Sequence, residues 1–161
     1  MDEPAPLTGE PLALDLANTR PAGPGGPADL IGTPRQLAAW LAAEAYRLPA
    51  EVQDRAPTAA GLAALHAVRA DVDAVVQALL DGAEPPASAL RGLATAQGAA
   101  PRIRELIWED GGLRVVDRRI GSPAAALAAV FAEDAVDLLS GPGAAKIKKC
   151  EAEDCVLLFL P

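Results

Sequence analysis

Between Pro57-Thr58 and Asp81-Gly82 the apolar residues Leu62, Leu65, Val68, Val72, Val75, Val76 and Leu79 recur at spacings of three and four. That is the pattern of an amphipathic helix. A stripe of this length predicts one long helix, reaching about Leu80, around which the other elements pack. Alanine supplies much of the 51% hydrophobic content and aromatics only 3%, so the core is expected to be closely packed helices rather than a β-sandwich. A chain of 161 residues fits one domain, able to bury roughly 70% of its unfolded surface.

The shorter elements follow from local signals. Residues 1–10 carry prolines and charge without periodicity and read as a loose arm. In Pro11 to Thr19, Leu12, Leu14 and Leu16 alternate like a strand, while Leu12, Ala13, Leu16 and Ala17 mark one helical face. Pro11 suits a first helical turn, and the Ala and Leu content favours a short helix. Pro21 to Ala28 is an irregular Pro/Gly loop. Thr33, Pro34 and Gln36 form an N-cap, an N1 proline and a capping box. The helix they open is expected to bury Leu37, Trp40, Leu41 and Ala45, with Pro49 marking its end or a restart. Pro85 to Ser88 leads into a further helix with Leu90 and Leu93 inward, ending near Gly98.

The period then changes. Ile103–Trp108 and Leu113–Asp117 flank a Gly-bearing turn and read as a β-hairpin. Two strands alone are marginal in water, so one face is expected to lie against the helices. Ser122-Pro123 opens a last helix with Leu127, Val130, Phe131, Ala135 and Leu138 inward, closed by Gly141-Pro142-Gly143. The predicted class is mainly α with a small β-hairpin (α+β).

The net charge of −8 argues against non-specific nucleic-acid binding by this portion, since phosphate contacts need clustered Lys and Arg. Lys146, Lys148 and Lys149 with Arg118 and Arg119 could touch phosphate, but the three lysines read more plainly as solvated ends near a helix C-terminus. No apolar run approaches the roughly 18 to 20 residues of a membrane span. The acidic start Met1-Asp2-Glu3-Pro4 is the reverse of a signal peptide, so a cytoplasmic location is expected. There, two nearby cysteines are more often metal ligands or redox thiols than a structural disulfide.

Cys150 and Cys155 are the chain's two cysteines, on an acidic, turn-like loop ahead of the apolar run Val156 to Leu160. They can grip one metal ion from two sides, but structural zinc takes four ligands. The acidic neighbours Glu151, Glu153 and Asp154 are expected to raise the thiol pKa values. The chain looks cut short within this segment.

These pieces resemble, in order, the bacterial family of putative stress-induced transcription regulators with an N-terminal ABATE domain and a C-terminal CGNR zinc finger. Leu14-Asp15-Leu16-Ala17-Asn18-Thr19 is similar to that family's early L-D-x-x-N-T signature. Asp29-Leu30-Ile31 with Thr33-Pro34 and Leu37 to Leu41 is similar to its second block, and Val68-Arg69 to its L-R element. Cys150 and Cys155 followed by Leu158-Phe159 look like the opening of its finger. The resemblance implies an ABATE-like domain over residues 1–145 and an incomplete finger stub over 146–161. It implies zinc held by Cys150 and Cys155 in the complete finger. DNA would be bound only through the missing half, past Pro161, where the C-G-N-R motif would lie.

Each polar candidate has a plainer reading. Asp15, Asn18 and Thr19 can line a small-molecule pocket with Trp40 and Arg69, arginine being suited to a carboxylate or phosphate. They can equally cap the short helix and its following turn. His66, at the edge of the long stripe, reads as a packed or half-exposed helix histidine. Gly23 to Gly26 lacks the strand and the Gly-Lys-Ser/Thr ending of a phosphate cradle. No acid–base pair, nucleophile or cofactor loop stands out, so no enzyme is expected. The leading expectation is a regulator whose N-terminal domain senses a ligand or forms a homodimer. The alternative is a helical protein–protein interaction module, made sticky by Leu157, Leu158, Phe159 and Leu160.

Overall fold

The computed structural model describes residues 8–22, 25–53 and 55–161. Met1 to Leu7 of the expected arm, and Gly23 and Pro24 of the Pro/Gly loop, lie outside them. In chain order the elements are α1 (Leu12–Ala17), α2 (Pro34–Glu44), α3 (Ala50–Gln53), α4 (Ala59–Leu80) and α5 (Ala87–Ala99). Then come β1 (Arg102–Glu109), β2 (Gly112–Arg119), α6 (Pro123–Ser140), β3 (Lys148–Lys149) and β4 (Leu158–Phe159). The architecture is mainly α with two small antiparallel sheets; the patterning predicts the helices and the β1–β2 hairpin, but not the β3–β4 pair.

The long stripe forms the predicted central helix. Thr58 accepts the Gly61 N–H at 3.1 Å to open α4. At its far end the Gly82 N–H reaches the Leu79 carbonyl at 3.1 Å and the Ala83 N–H the Ala78 carbonyl at 2.8 Å. Gly82 is left-handed, with φ +65°, so this is a Schellman stop. Leu65, Val68, Val72, Val75 and Val76 are buried, whereas Leu79 on the last turn is exposed. α4, α5 and α6 pack on one another, and α1 lies across α4 and α6. Trp40 of α2 stacks obliquely on Phe131 of α6, with ring centroids 5.4 Å apart.

All six residues of α1 are buried, which explains why both strand and helix periods fit it. Pro11 is its N-cap rather than its first residue. So short a helix is unstable alone. It is held by Leu12, Leu14 and Leu16, each worth about 2 kcal/mol when fully buried, and by the Asp134 carboxylate, which accepts the Ala13 N–H at 2.8 Å.

Four expectations need correction. On α2 the buried residue at the foot of the helix is Glu44, not Ala45. Position 44 lies three, four and seven residues after Leu41, Trp40 and Leu37, on their face. On α5, Ala89 and Leu93 point inward and Leu90 is 49% exposed, because the small Ala89 lets α5 approach its neighbours closely. The β1–β2 hairpin turns at Asp110 and Gly111, both at positive φ, but no helix packs broadly on either strand. It is rooted at its base instead. Arg119 donates to the Ala100 carbonyl at 3.1 Å and forks onto Glu133 at 2.8 and 2.6 Å. Finally, the apolar tail is not a free sticky strip: Leu158 is buried in the main core, with Leu160 packed against it.

Candidate functional site

The cysteine segment folds back on itself and onto α1. β3 and β4 pair antiparallel, Lys148 opposite Phe159 and Lys149 opposite Leu158. The Cys150 N–H donates to the Leu157 carbonyl at 2.8 Å, and the Cys155 N–H to the Ala152 carbonyl at 3.0 Å. Asp154 takes a left-handed conformation, φ +60°, to complete the loop. β4 is then gripped from the other side. The Asn18 side-chain amide donates to the Leu158 carbonyl at 2.9 Å and accepts the Leu158 N–H at 2.8 Å. A neighbouring bond runs from the Leu160 N–H to the Glu10 carboxylate at 2.9 Å. Asn18 thus acts as a one-residue strand, and two backbone groups that the buried β4 could not leave unpaired are satisfied.

The other predicted polar residues build the frame behind this clamp. Thr19 donates to the Leu16 carbonyl at 2.6 Å and accepts from Arg69 at 2.9 Å. Arg69 forks onto Asp29 with bonds of 2.8 and 2.7 Å. This hydrogen bond is the chief reason the Asp29 carboxyl sits below the usual range; the Ile31 N–H also favours its charge, and burial opposes it. The Thr19 carbonyl accepts the Leu30 N–H at 2.8 Å, so the start of the second sequence block is tied to α1. His66 is half-buried and places Nε2 2.7 Å from the Ile31 carbonyl, which assigns the proton to that nitrogen.

Asp15 faces the opposite way. It accepts the Gly9 and Glu10 N–H groups at 2.8 and 3.2 Å and pairs with Arg47. Arg47 also holds Glu44 at 2.6 Å. Burial raises the Glu44 pKa and the Asp15 charge adds to it, against the pull of Arg47. Burial works against the Arg47 charge, yet its two carboxylate partners leave its pKa raised. Trp40 Nε1 and Glu44 Oε1 are buried without a hydrogen-bond partner among the described residues. Glu44 and Arg47 escaped the sequence reading, and Asp29 and Leu158 entered it only as parts of the family blocks, not as partners of the candidate residues. Glu44 carried a signal in its register on α2; Leu158 carried none, being 140 residues from Asn18.

Of the five pocket candidates, Thr19 and Arg69 come into contact, while Asp15, Asn18 and Trp40 each face other partners. None of the five lines either of two cavities of about 610 and 1160 Å³. The smaller lies between Arg47, Arg119 and Glu133. The larger is an open groove where Ala17, Arg20 and Asp73 meet Cys155, Val156 and Leu157. Burial pushes the Asp73 carboxyl up to about 6, against the pull of Arg69 and Arg20.

The two thiols are free and influence each other. That influence lowers the Cys150 pKa and raises that of Cys155. The acidic neighbours matter less than expected: only Glu151 acts on Cys150, and weakly beside the other thiol. Such a pair fits half of a tetrahedral zinc site. Among the described residues no three His, Cys, Asp or Glu side chains gather to hold an ion, and His66 is engaged elsewhere. No described helix is long and apolar enough to cross a membrane.

No curated protein matches the chain significantly. The sequence profile of the ABATE family, described as a putative stress-induced transcription regulator, matches residues 10–142. That span contains Asp15, Asn18, Thr19, Asp29, Trp40 and Arg69, and stops before the cysteine loop. With the match running over most of its length, the chain belongs to the ABATE family of putative stress-induced transcription regulators.

Proposed function

We propose that this chain belongs to a cytoplasmic transcription regulator in which α1 fixes the position of a zinc-binding, DNA-contacting finger. The observation that carries this reading is the two-way bond between Asn18 and Leu158. It joins the family's early signature to the strand that follows the cysteine loop. Cys150 and Cys155 would be two of four zinc ligands, and bound zinc would supply a rigid cross-link across the loop. Contacts to DNA belong to the completed finger; no residue of the present chain is assigned to them.

The sensing half of the proposal belongs to the 1160 Å³ groove rather than to the five candidates: Asp15, Asn18, Thr19 and Arg69 spend their hydrogen bonds within the fold, and Trp40 is buried against Phe131. A small molecule there would touch α4 through Asp73 and Gln77, and the finger loop through Cys155 to Leu157. It would act on the finger only by binding one arrangement of the tail better than another.

The test is selection of bound fragments from random DNA by the complete, zinc-loaded gene product. The proposal expects an enriched sequence, lost with Cys150→Ser and weakened with Asn18→Ala. Absence of any enriched sequence would contradict DNA binding. Unchanged binding by a folded Asn18→Ala protein would contradict the positioning role.

A further inference from the structure

The β1–β2 hairpin presents an apolar face that the fold does not cover. Its register sets Leu106 opposite Val115 and Trp108 opposite Leu113, so these four side chains share one face near the tip. They are 69, 45, 73 and 69% exposed, respectively. Together they offer roughly 500 Å² of apolar surface, at the upper end for a monomer. A two-stranded sheet with one bare face is marginal by itself.

Charge selects the occupant. The segment 102–119 holds five arginines and four carboxylates, a net +1 within a chain of −8. Most of these charges are paired across the strands, Arg118 with Glu105 at 3.0 Å and Arg114 with Glu109 among them. The remainder of the molecule therefore carries −9, and with Arg119 paired to Glu133 at its base the exposed part of the hairpin is near neutral, so two copies meet there with little of the repulsion the net charge imposes. We propose that a second copy of this chain packs the same hairpin face against this one, about a two-fold axis. Such an isologous contact buries about 1,000 Å² in total, the lower bound for a specific interface. Leu106, Trp108, Leu113 and Val115 form its centre. The proposal is independent of DNA binding and of zinc.

Sedimentation velocity over about 1 to 300 μM tests it, on the intact chain and on Leu106→Glu and Trp108→Glu, with circular dichroism confirming that each variant folds. The expected result is a reversible dimer that tightens as salt screens the −8 charges. Each variant should weaken it at least about tenfold. Trp108 emission should shift to the blue with concentration, measured in a Trp40→Phe background. A chain that stays monomeric throughout, or a dimer indifferent to both substitutions, overturns the proposal. So does a dimer that loosens as salt is added.

Discussion

Asn18 meets Leu158 with both ends of its side-chain amide, at 2.9 and 2.8 Å, across 140 residues of sequence. The bond couples a six-residue helix to the two-residue strand that closes the cysteine loop. Its neighbours Thr19 and Asp15 tie the same helix to α4 and to the end of α2, respectively. A displaced α1 would therefore displace the loop.

The Arg69 fork is predicted to be a strong polar tie, comparable to the Asn18 clamp. Arg69→Met leaves Thr19 and Asp29 without their partner and should cost about 2–4 kcal/mol in urea unfolding. Because the folded Asp29 pKa lies below its ordinary value, its contribution is present above about pH 4 and is lost as pH falls through the lowered pKa. Arg69→Met should remove that part of the acid sensitivity. Asp29→Asn, with its side chain one-third exposed, should cost less.

Asp73 has the opposite sign. Its folded pKa of about 6 exceeds the ordinary 3.8, so the folded state holds this proton more tightly and stability falls as pH rises from about 4 to 6. Asp73→Asn should leave stability near pH 4 almost unchanged and raise it at pH 7.5. The gain should be on the order of 1–2 kcal/mol, after allowance for solvent screening. Denaturant midpoints at the two pH values measure the difference.

Gly121 joins the hairpin to α6 at φ +149°, and a Cβ there would lie 2.6 Å from the Ala99 carbonyl oxygen. Backbone cannot swing aside as a side chain can. Gly121→Ala is expected to destabilise by about 2–3 kcal/mol, read as a lower thermal midpoint. Gly98→Ala on α5, where a Cβ meets nothing within 4 Å, should be neutral or mildly stabilising.

What could be read from the sequence was local. Thr33, Thr58 and Ser122 cap their helices as the residue types predict, and the α4 stripe and the turn of the β1–β2 hairpin are where the periods put them. Only half of the Thr33–Gln36 capping box forms: the Gln36 side chain accepts from the Thr33 hydroxyl rather than from its backbone. Glu44 is hard to read as buried because a carboxylate on an apolar helix face is costly to bury, and Arg47 is what lets it point in. The bare hairpin face was missed because two-stranded sheets usually need a cover. The Asn18 clamp was illegible, since its partner is a backbone position and backbone carries no sequence signal. The signature residues were legible as candidates. Their partners were not.

The central claim is that Asn18 holds the cysteine loop to the domain. Amide hydrogen exchange of the intact chain, resolved by residue, tests it most directly. In wild type the Leu158 and Cys150 amides should be protected. In Asn18→Ala, which should cost about 2–4 kcal/mol, their exchange should accelerate at least tenfold more than that of Val72 in α4. Equal acceleration at all three positions, or continued protection of Leu158, would contradict it.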